Sequence, residues 1–533
     1  MFFFFHKSSF VSDFSHQFQI AMKILLASLL LAGIFTMTSC SDNKKELATP
    51  FTDPVAALYD STLKPFYHGV ASGDPLTDRV ILWTRVTPEE SVSSIAVKWE
   101  VAEDSNFSSI YKSDTLSTTP ARDYTVKVDV DGLQPGKTYY YRFSALGKTS
   151  LVGRTKTTPV SGLDSLKLAI VSCSNWEWGY FNAYDKIADR TDVDAVVHLG
   201  DYIYEYGTGG YGDTTMGRIN IPKHEIVSLS DYRARHSQYR TDKGLRHISQ
   251  QHLMIAIWDD HEIANNSFTA GAQNHQPDKE GDYAARKAVA KQAYYEWLPI
   301  REGNKHYRSF SFGDLTDLIM LDERLEGRTK PVDSISDPAF NNDERSMLGA
   351  EQLAWFESNM KNSKTTWKII GNQVIFSDVE LSPVYPKMPR NLDSWDGYPA
   401  EKKKIKDFIL TNKIKDVIFV TGDTHASWAI EAATDVKKTY SAFAVEFGTT
   451  SVSSANDNEY HSTDTVKMME SALLKANPHI KFINDRDHGY LLLTLYPQKA
   501  KAEWYFMESL REPETKEYLA KKFEVDKGST KLK

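Results

Sequence analysis

Four apolar runs in this chain stop on side chains that a buried strand does not need. LKLAIVSC ends at Cys173, DAVVHLGD at Asp201, LMIAIWDDH at Asp259, Asp260 and His261, and DVIFVTGDTH at Asp423 and His425. Two further runs, LTDLIMLDER and TWKIIGNQ, end on Asp322 and Arg324 and on Asn372 and Gln373. From Leu166 onward such runs alternate with longer helical patterns, which predicts an α/β domain over 165–505. Ligands of open α/β sheets bind beyond the carboxyl ends of the strands. One loop aspartate caps a helix or closes a turn. Carboxylate, imidazole, thiol and phenol gathered at four strand ends point instead to bound metal.

Each residue type brings its own chemistry. Asp201 stands just past its strand, where one carboxylate can bridge two cations, and Tyr204 follows within reach. A coordinated phenolate is a hard ligand that favours a trivalent ion such as ferric iron. Cys173 would act as a thiolate deprotonated by the metal. The plainer roles are a small buried hydrophobe for Cys173 and simple packing for Tyr204. Asp423 and His425 are two residues apart, so on an extended segment both side chains point the same way. Asp260 offers an oxygen ligand, and His261 beside it can donate a proton to a leaving group. His198 lies inside its strand and reads as structural.

Composition removes several classes. With 41% hydrophobic residues the chain can bury a large core, and a net charge of −8 without a basic block excludes a nucleic-acid-binding face. The chain holds two cysteines. Met22-Lys23 followed by ILLASLLLAGIFTM and TSC suits a signal h-region too short to span a bilayer. Ser39-Cys40 resembles a bacterial lipoprotein signal, in which that cysteine is lipidated. Residues 1–40 thus read as leader and signal with the start at Met22, and 41–63 as a polar, flexible tether. Cys173 is then left without a disulfide partner. Short strand-like segments and turn signals over 64–160 predict a small all-β sandwich, and DGLQPGKTYYYRF is similar to a fibronectin-type-III hairpin. Residues 506–533 read as a helical tail. Two segments are candidate covers for the site, the glycine-rich EYGTGGYGDTTMGR and the tail's PETKEYLAKKFEVD.

VSCSN, HLGDYIYEYG, WDDHEIANN, LDERLEGR and VTGDTH together resemble the PhoD-like alkaline phosphatases, a branch of the calcineurin-like metallophosphatases. FYHGVASGDPLTDRVILWTRVTP resembles that family's amino-terminal domain. The resemblance implies a four-layer α/β/β/α sandwich holding one ferric ion with one or two calcium ions. Cys173, Asp201, Tyr204 and His425 match the iron side. Asp201 bridges toward the calcium side, which Asp260 and Asp423 match. Thiolate, phenolate and imidazole suit iron and carboxylates suit calcium, which supports that division. The second Asp of WDDH stands where many metallophosphatases carry Asn, so Asp259, Asp260 and Asn265 remain alternatives for one ligand. Arg324 matches an arginine near the substrate phosphate, and Asn265 and Asn266 fall on the family's paired asparagines, with Asn265 a further candidate for contact with that phosphate.

The function expected is phosphoester hydrolysis by a metal-activated hydroxide, with mono- and diesters and envelope phosphopolymers or phospholipids all open as substrates. His261 and Arg324 are the expected catalytic residues. A metal-independent glycosidase would need acid and base on opposite faces of a sugar, which adjacent Asp259 and Asp260 cannot supply. A binding protein with a degenerate site would have lost ligands, yet every matched motif is filled. The expected protein is exported, anchored to the cell envelope through Cys40, and monomeric. Cys40→Ala should move it from the membrane fraction to the soluble fraction, read by sedimentation after a high-salt wash. A variant that still sediments with membranes would refute the anchor.

Overall fold

The computed structural model describes residues 49–533 except 434, 435 and 437–439, so Met22, Cys40 and the rest of the expected leader lie outside the described residues. Residues 50–533 form one packed unit. The larger of three sheets has nine strands in the order Glu517–Asp526, Lys499–Met507, Gly489–Leu495, Leu166–Val171, Ala195–His198, Leu253–Ala256, Val70–Gly73, Val80–Arg85 and Thr125–Val130. A second has seven, in the order Arg308–Phe312, Thr316–Met320, Trp367–Gly371, Val417–Thr421, Ala444–Gly448, Ser427–Ala432 and Ile480–Asn484.

The strands that lead to candidate ligands are parallel neighbours in each sheet: Leu166–Val171, Ala195–His198 and Leu253–Ala256 in one, and Thr316–Met320, Trp367–Gly371 and Val417–Thr421 in the other. They are buried on both faces, which is why they read as unbroken apolar runs. Leu168, Ile170, Val197 and Ile255 of the first sheet share one buried cluster with Leu318, Ile369, Ile418 and Val420 of the second. The opposite face of the larger sheet packs Ala169, Val171 and Val196 against Ile187, Tyr232, Leu245 and Trp297 from four helices. The opposite face of the second packs Ile319, Ile370 and Phe419 against Phe356 and Ile405 of helices Gly349–Asn362 and Pro399–Thr411. Among the described residues no helix is long and apolar enough to cross a membrane.

Three expectations are corrected. The segment 64–160 is not a closed-off sandwich. Ile95–Ala102, Ile110–Thr118, Thr138–Ala145, Lys148–Thr149 and Gly153–Lys156 make a small third sheet, but Val70–Gly73, Val80–Arg85 and Thr125–Val130 belong to the nine-stranded one. Val70–Gly73 pairs in parallel with Leu253–Ala256, through Ser72 with Leu253 and Gly73 with Met254. Local pattern cannot show a partner that distant in sequence. The tether ends earlier than expected: Val55 is fully buried, and Asp53 accepts a 2.7 Å bond from Arg85 with both side chains almost covered. The tail is not helical. Glu517–Asp526 is a strand paired along Lys499–Met507, with Val525 buried and Phe523 against the inter-sheet core. Its Lys- and Glu-rich sequence suits a helix, but an open nine-residue edge needs a partner, and pairing overrides propensity.

Gly73 sits where the two halves of the large sheet join. A Cβ there would lie 2.3 Å from the Pro299 carbonyl oxygen and 2.4 Å from that of Met254, backbone atoms that cannot swing away. Gly73→Ala should therefore destabilise the protein by about 3 kcal/mol or more, read as a fall in the urea midpoint. An unchanged midpoint would mean this seam is looser than described.

Candidate metal centre

The polar strand ends meet at one place. Donor atoms of Cys173, Asp201 and His425 lie within 4.8 Å of one another, as do those of Asp201, Asp260 and His261, and those of Asp259, Asp260 and Asp423. Asp201 and Asp260 each belong to two of these groups, so the three form a chain linked by shared carboxylates. The Tyr204 hydroxyl donates to Asp201 Oδ2 at 2.9 Å and lies 3.2 Å from His425 Nε2.

Backbone geometry brings them there. Cys173 (φ 58°), Asp201 (54°), Asp423 (61°) and His425 (59°) all occupy the left-handed region, which costs a non-glycine residue about 1–2 kcal/mol. Gly200, also at positive φ, allows the two bends to touch, since a Cβ there would fall 2.4 Å from Asp259 Cβ. The buried Glu262 carboxylate clasps both bends, accepting from the amides of Asp201 (3.1 Å), Tyr202 and Asp259 (2.7 Å).

Second partners orient the ligands. His425 Nδ1 donates to the Ala455 carbonyl at 2.6 Å, leaving Nε2 as the nitrogen free to coordinate. His261 Nδ1 lies 2.7 Å from Glu205 Oε2, a fully buried carboxylate that also accepts from the Asn265 amide and from Asn274. Ser454 Oγ lies 2.7 Å from the Tyr204 hydroxyl and 2.9 Å from the Cys173 carbonyl. Tyr211, from the glycine-rich candidate cover, reaches within 3.3 Å of His425 Nδ1. Arg511, in the turn before the last strand, bonds Asp213 of the glycine-rich loop at 2.6 Å.

The electrostatics are those of too many acids in one place. Burial pushes Asp201 well above the ordinary carboxylate range, and His261 offsets this only in part. Burial, with Asp260 and Asp423 nearby, lifts Asp259 to about 8 despite Arg324; burial, with Asp393 and Asp260 nearby, lifts Asp423 to about 6 against the same arginine. Burial would also raise Asp260, but Arg324 and His261 hold it at about 2. Burial and Asp201 raise the Cys173 thiol and the Tyr204 phenol. Burial alone would lower His261, yet Glu205, Asp260 and Asp201 prevail and raise it. Asp259 Oδ2 is buried with no hydrogen-bond partner. Sulfur, phenol, imidazole and several carboxylates that share protons and leave an oxygen unmatched fit multivalent cations, whose binding would displace those protons.

The structure thus brings Cys173, Asp201, Tyr204, Asp260, His261, Asp423 and His425 together, with Asp259 among them. Arg324 is present as well. It is fully buried, and its guanidinium spans Asp259, Asp393, Asp423 (2.9 Å) and, at 3.5 Å, Asp260. Asn265 turns its side-chain amide to Gln273, whereas the Asn266 backbone amide donates to Asp260 Oδ2. His198 is structural, held at 2.7 Å by Tyr184. The supporting residues Glu205, Glu262, Asp393 and Ser454 were not singled out from sequence. Glu205 and Glu262 lie inside the quoted GDYIYE and WDDHE motifs, whereas no local signal marks Asp393 or Ser454.

Comparison with known proteins identifies the family. The family model "PhoD-like phosphatase" matches residues 168–504, and "PhoD-like phosphatase, N-terminal domain" matches 54–159. Alkaline phosphatase D of Bacillus subtilis (strain 168) is 38% identical over 480 residues, covering 84% of this chain and 79% of that protein. A solved structure described as "Structure of PhoD" superimposes with a TM-score of 0.80 at 35% identity, covering 88% of this chain and 92% of that one. The chain therefore belongs to the PhoD-like phosphatase family and is a phosphoesterase hydrolase.

Proposed function

We propose that this protein is a metal-dependent alkaline phosphatase and phosphodiesterase, exported and anchored to the envelope through a lipidated Cys40. The observation that carries the metal dependence is the chain of three donor groups joined by Asp201 and Asp260. In this reading Cys173, Asp201, Tyr204 and His425 hold ferric iron, and Asp201, Asp260 and Asp423 hold calcium, with Asp259 able to serve a second calcium. When bound, the cations would supply Lewis acidity toward the phosphoryl oxygens and an activated water. The layers of helix, sheet, sheet and helix expected from the resemblance are our reading of the three buried clusters.

The chain's own residues do the rest. Hydrolysis forms a bond from water oxygen to phosphorus, breaks the bond to the ester oxygen, and delivers a proton to the departing alkoxide. We assign that delivery to His261: Glu205 engages Nδ1 and orients the ring, so the proton would leave from Nε2. Arg324 is the fixed positive charge beside Asp260 and Asp423, and in this reading it would offset charge developing on the phosphoryl group. A diester specificity toward envelope phosphopolymers or phospholipids is the alternative reading.

His261→Ala should retain metal and lose roughly 10²- to 10⁴-fold in kcat on an alkyl phosphate, and less on nitrophenyl phosphate, whose leaving group departs without a proton. Asp260→Ala should lower metal content and rate together on both esters. Metal stoichiometry and kcat for the two variants check this; equal losses on both esters with missing metal in His261→Ala would reverse the roles. Ferric iron on Tyr204 and Cys173 should give a visible charge-transfer band that Tyr204→Phe removes or shifts. A colourless, iron-free, fully active enzyme would refute the iron assignment.

A further inference from the structure

The segment TTSVSS, residues 449–454, carries a hydroxyl at every position but Val452, and the whole of it is fully buried. A buried hydroxyl left without a partner costs about 1–3 kcal/mol, so each of these must be placed. Most go to backbone carbonyls: Thr449 to Ile170 (3.1 Å), Thr450 to His425 (2.8 Å), Ser451 to Ser454 (2.6 Å) and Ser453 to Asn175 (2.8 Å). Ser454 differs. Its Oγ lies 2.7 Å from the Tyr204 hydroxyl oxygen as well as 2.9 Å from the Cys173 carbonyl.

One proton cannot serve both oxygens. The Cys173 carbonyl already accepts from the backbone amides of Ser453 (3.3 Å) and Ser454 (3.2 Å), which occupy its two lone pairs. The Tyr204 hydroxyl gives its own proton to Asp201 Oδ2 at 2.9 Å, so it meets Ser454 as an acceptor. The Ser454 proton is therefore left to the phenol oxygen. The same segment holds the neighbouring donors: the Ala455 carbonyl accepts from His425 Nδ1 at 2.6 Å, and the Val452 amide donates to the Ser172 carbonyl at 2.9 Å, one residue before Cys173.

We infer that Ser454 is a positioning residue of the metal centre: its hydroxyl donates to the Tyr204 oxygen, fixing the place of that oxygen and drawing off part of its negative charge when it coordinates. A phenol that coordinates has given up its proton, and with it the bond to Asp201. The Ser454 bond needs only a lone pair on the phenol oxygen, so it outlasts that loss. Hydrogen bonds from outside a ligand set orient the ligand and tune what it donates. Less charge on the phenol oxygen leaves the cation a stronger Lewis acid toward a phosphoryl oxygen. This rests on the reading of Tyr204 as an iron ligand, and it names the residue that sets the phenolate's donor strength.

The test loads the full-length protein with ferric iron and records the visible charge-transfer band of the wild type, Ser454→Ala and Ser453→Ala. Ser453 is the matched control, equally buried in the same segment, with its hydroxyl on the Asn175 carbonyl rather than on a donor atom. Ser454→Ala should move the band to longer wavelength, because a phenolate relieved of a hydrogen bond gives up charge more readily. It should also lose about 10- to 100-fold in iron affinity, read by competition with a chelator. Ser453→Ala should leave the band in place. An iron-loaded Ser454→Ala with the wild-type band overturns the proposal, as does an equal shift in Ser453→Ala. If Ser454→Ala takes up no iron, the wild type alone decides. Its phenolate C–O vibration, followed by resonance Raman scattering, should shift between water and heavy water, and an unmoved vibration overturns the proposal. A wild type that is active but colourless and free of iron refutes the iron reading itself, whereas a coloured wild type whose band ignores Ser454 refutes only the part given to the serine.

Discussion

Everything at the centre of this molecule follows from crowding Asp201, Asp259 and Asp260, all buried, and the partly exposed Asp423 into one linked chain of donor groups. Two positive side chains face them, Arg324 and His261, and neither can spread its charge over all four. Isolated buried charge is so costly that such groups take up protons or acquire partners. The lifted Asp201, Asp259 and Asp423 and the depressed Asp260 are two sides of that bargain. Such an arrangement suits multivalent cations. The surrounding scaffold then serves to prevent the acids from moving apart.

That scaffold is mostly backbone. Glu262 spends its carboxylate on three amides from two separate bends, and Glu205 holds His261, Asn265 and Asn274 in the same way. Four ligands in left-handed conformations store a few kcal/mol of strain, which the packed sheets beneath them offset. Rigid placement of this kind would let a cation meet its donors already arranged, without an ordering cost at the moment of binding.

Much of this was legible in the sequence for a simple reason. A strand buried on both faces must be apolar throughout, so Cys173, Asp201, Asp260 and Asp423 stand out where the apolar run ends. Glu262 was less visible, because a glutamate that accepts amide bonds looks like any glutamate in a loop. Asp393 and Ser454 are contributed by remote loops and carry no periodic signal at all. The tail misled for the opposite reason: its composition favours a helix, and only the unpaired edge of Lys499–Met507 makes it a strand. Arg324 was found but not its surroundings, since a sequence shows that a guanidinium is present and not which acids reach it first.

The parallel pairing of Val70–Gly73 with Leu253–Ala256 has a consequence for how this protein can be divided. Two family models meet between residues 159 and 168, as though two interchangeable pieces had been joined there. Hydrogen bonds do not respect that border. The strand leading to Asp259 and Asp260 takes its neighbour on one side from the amino-terminal piece, so cutting the chain at the border would strip that strand of half its ladder. The amino-terminal region is thus less an appended module than part of the sheet from whose strand ends the acids project.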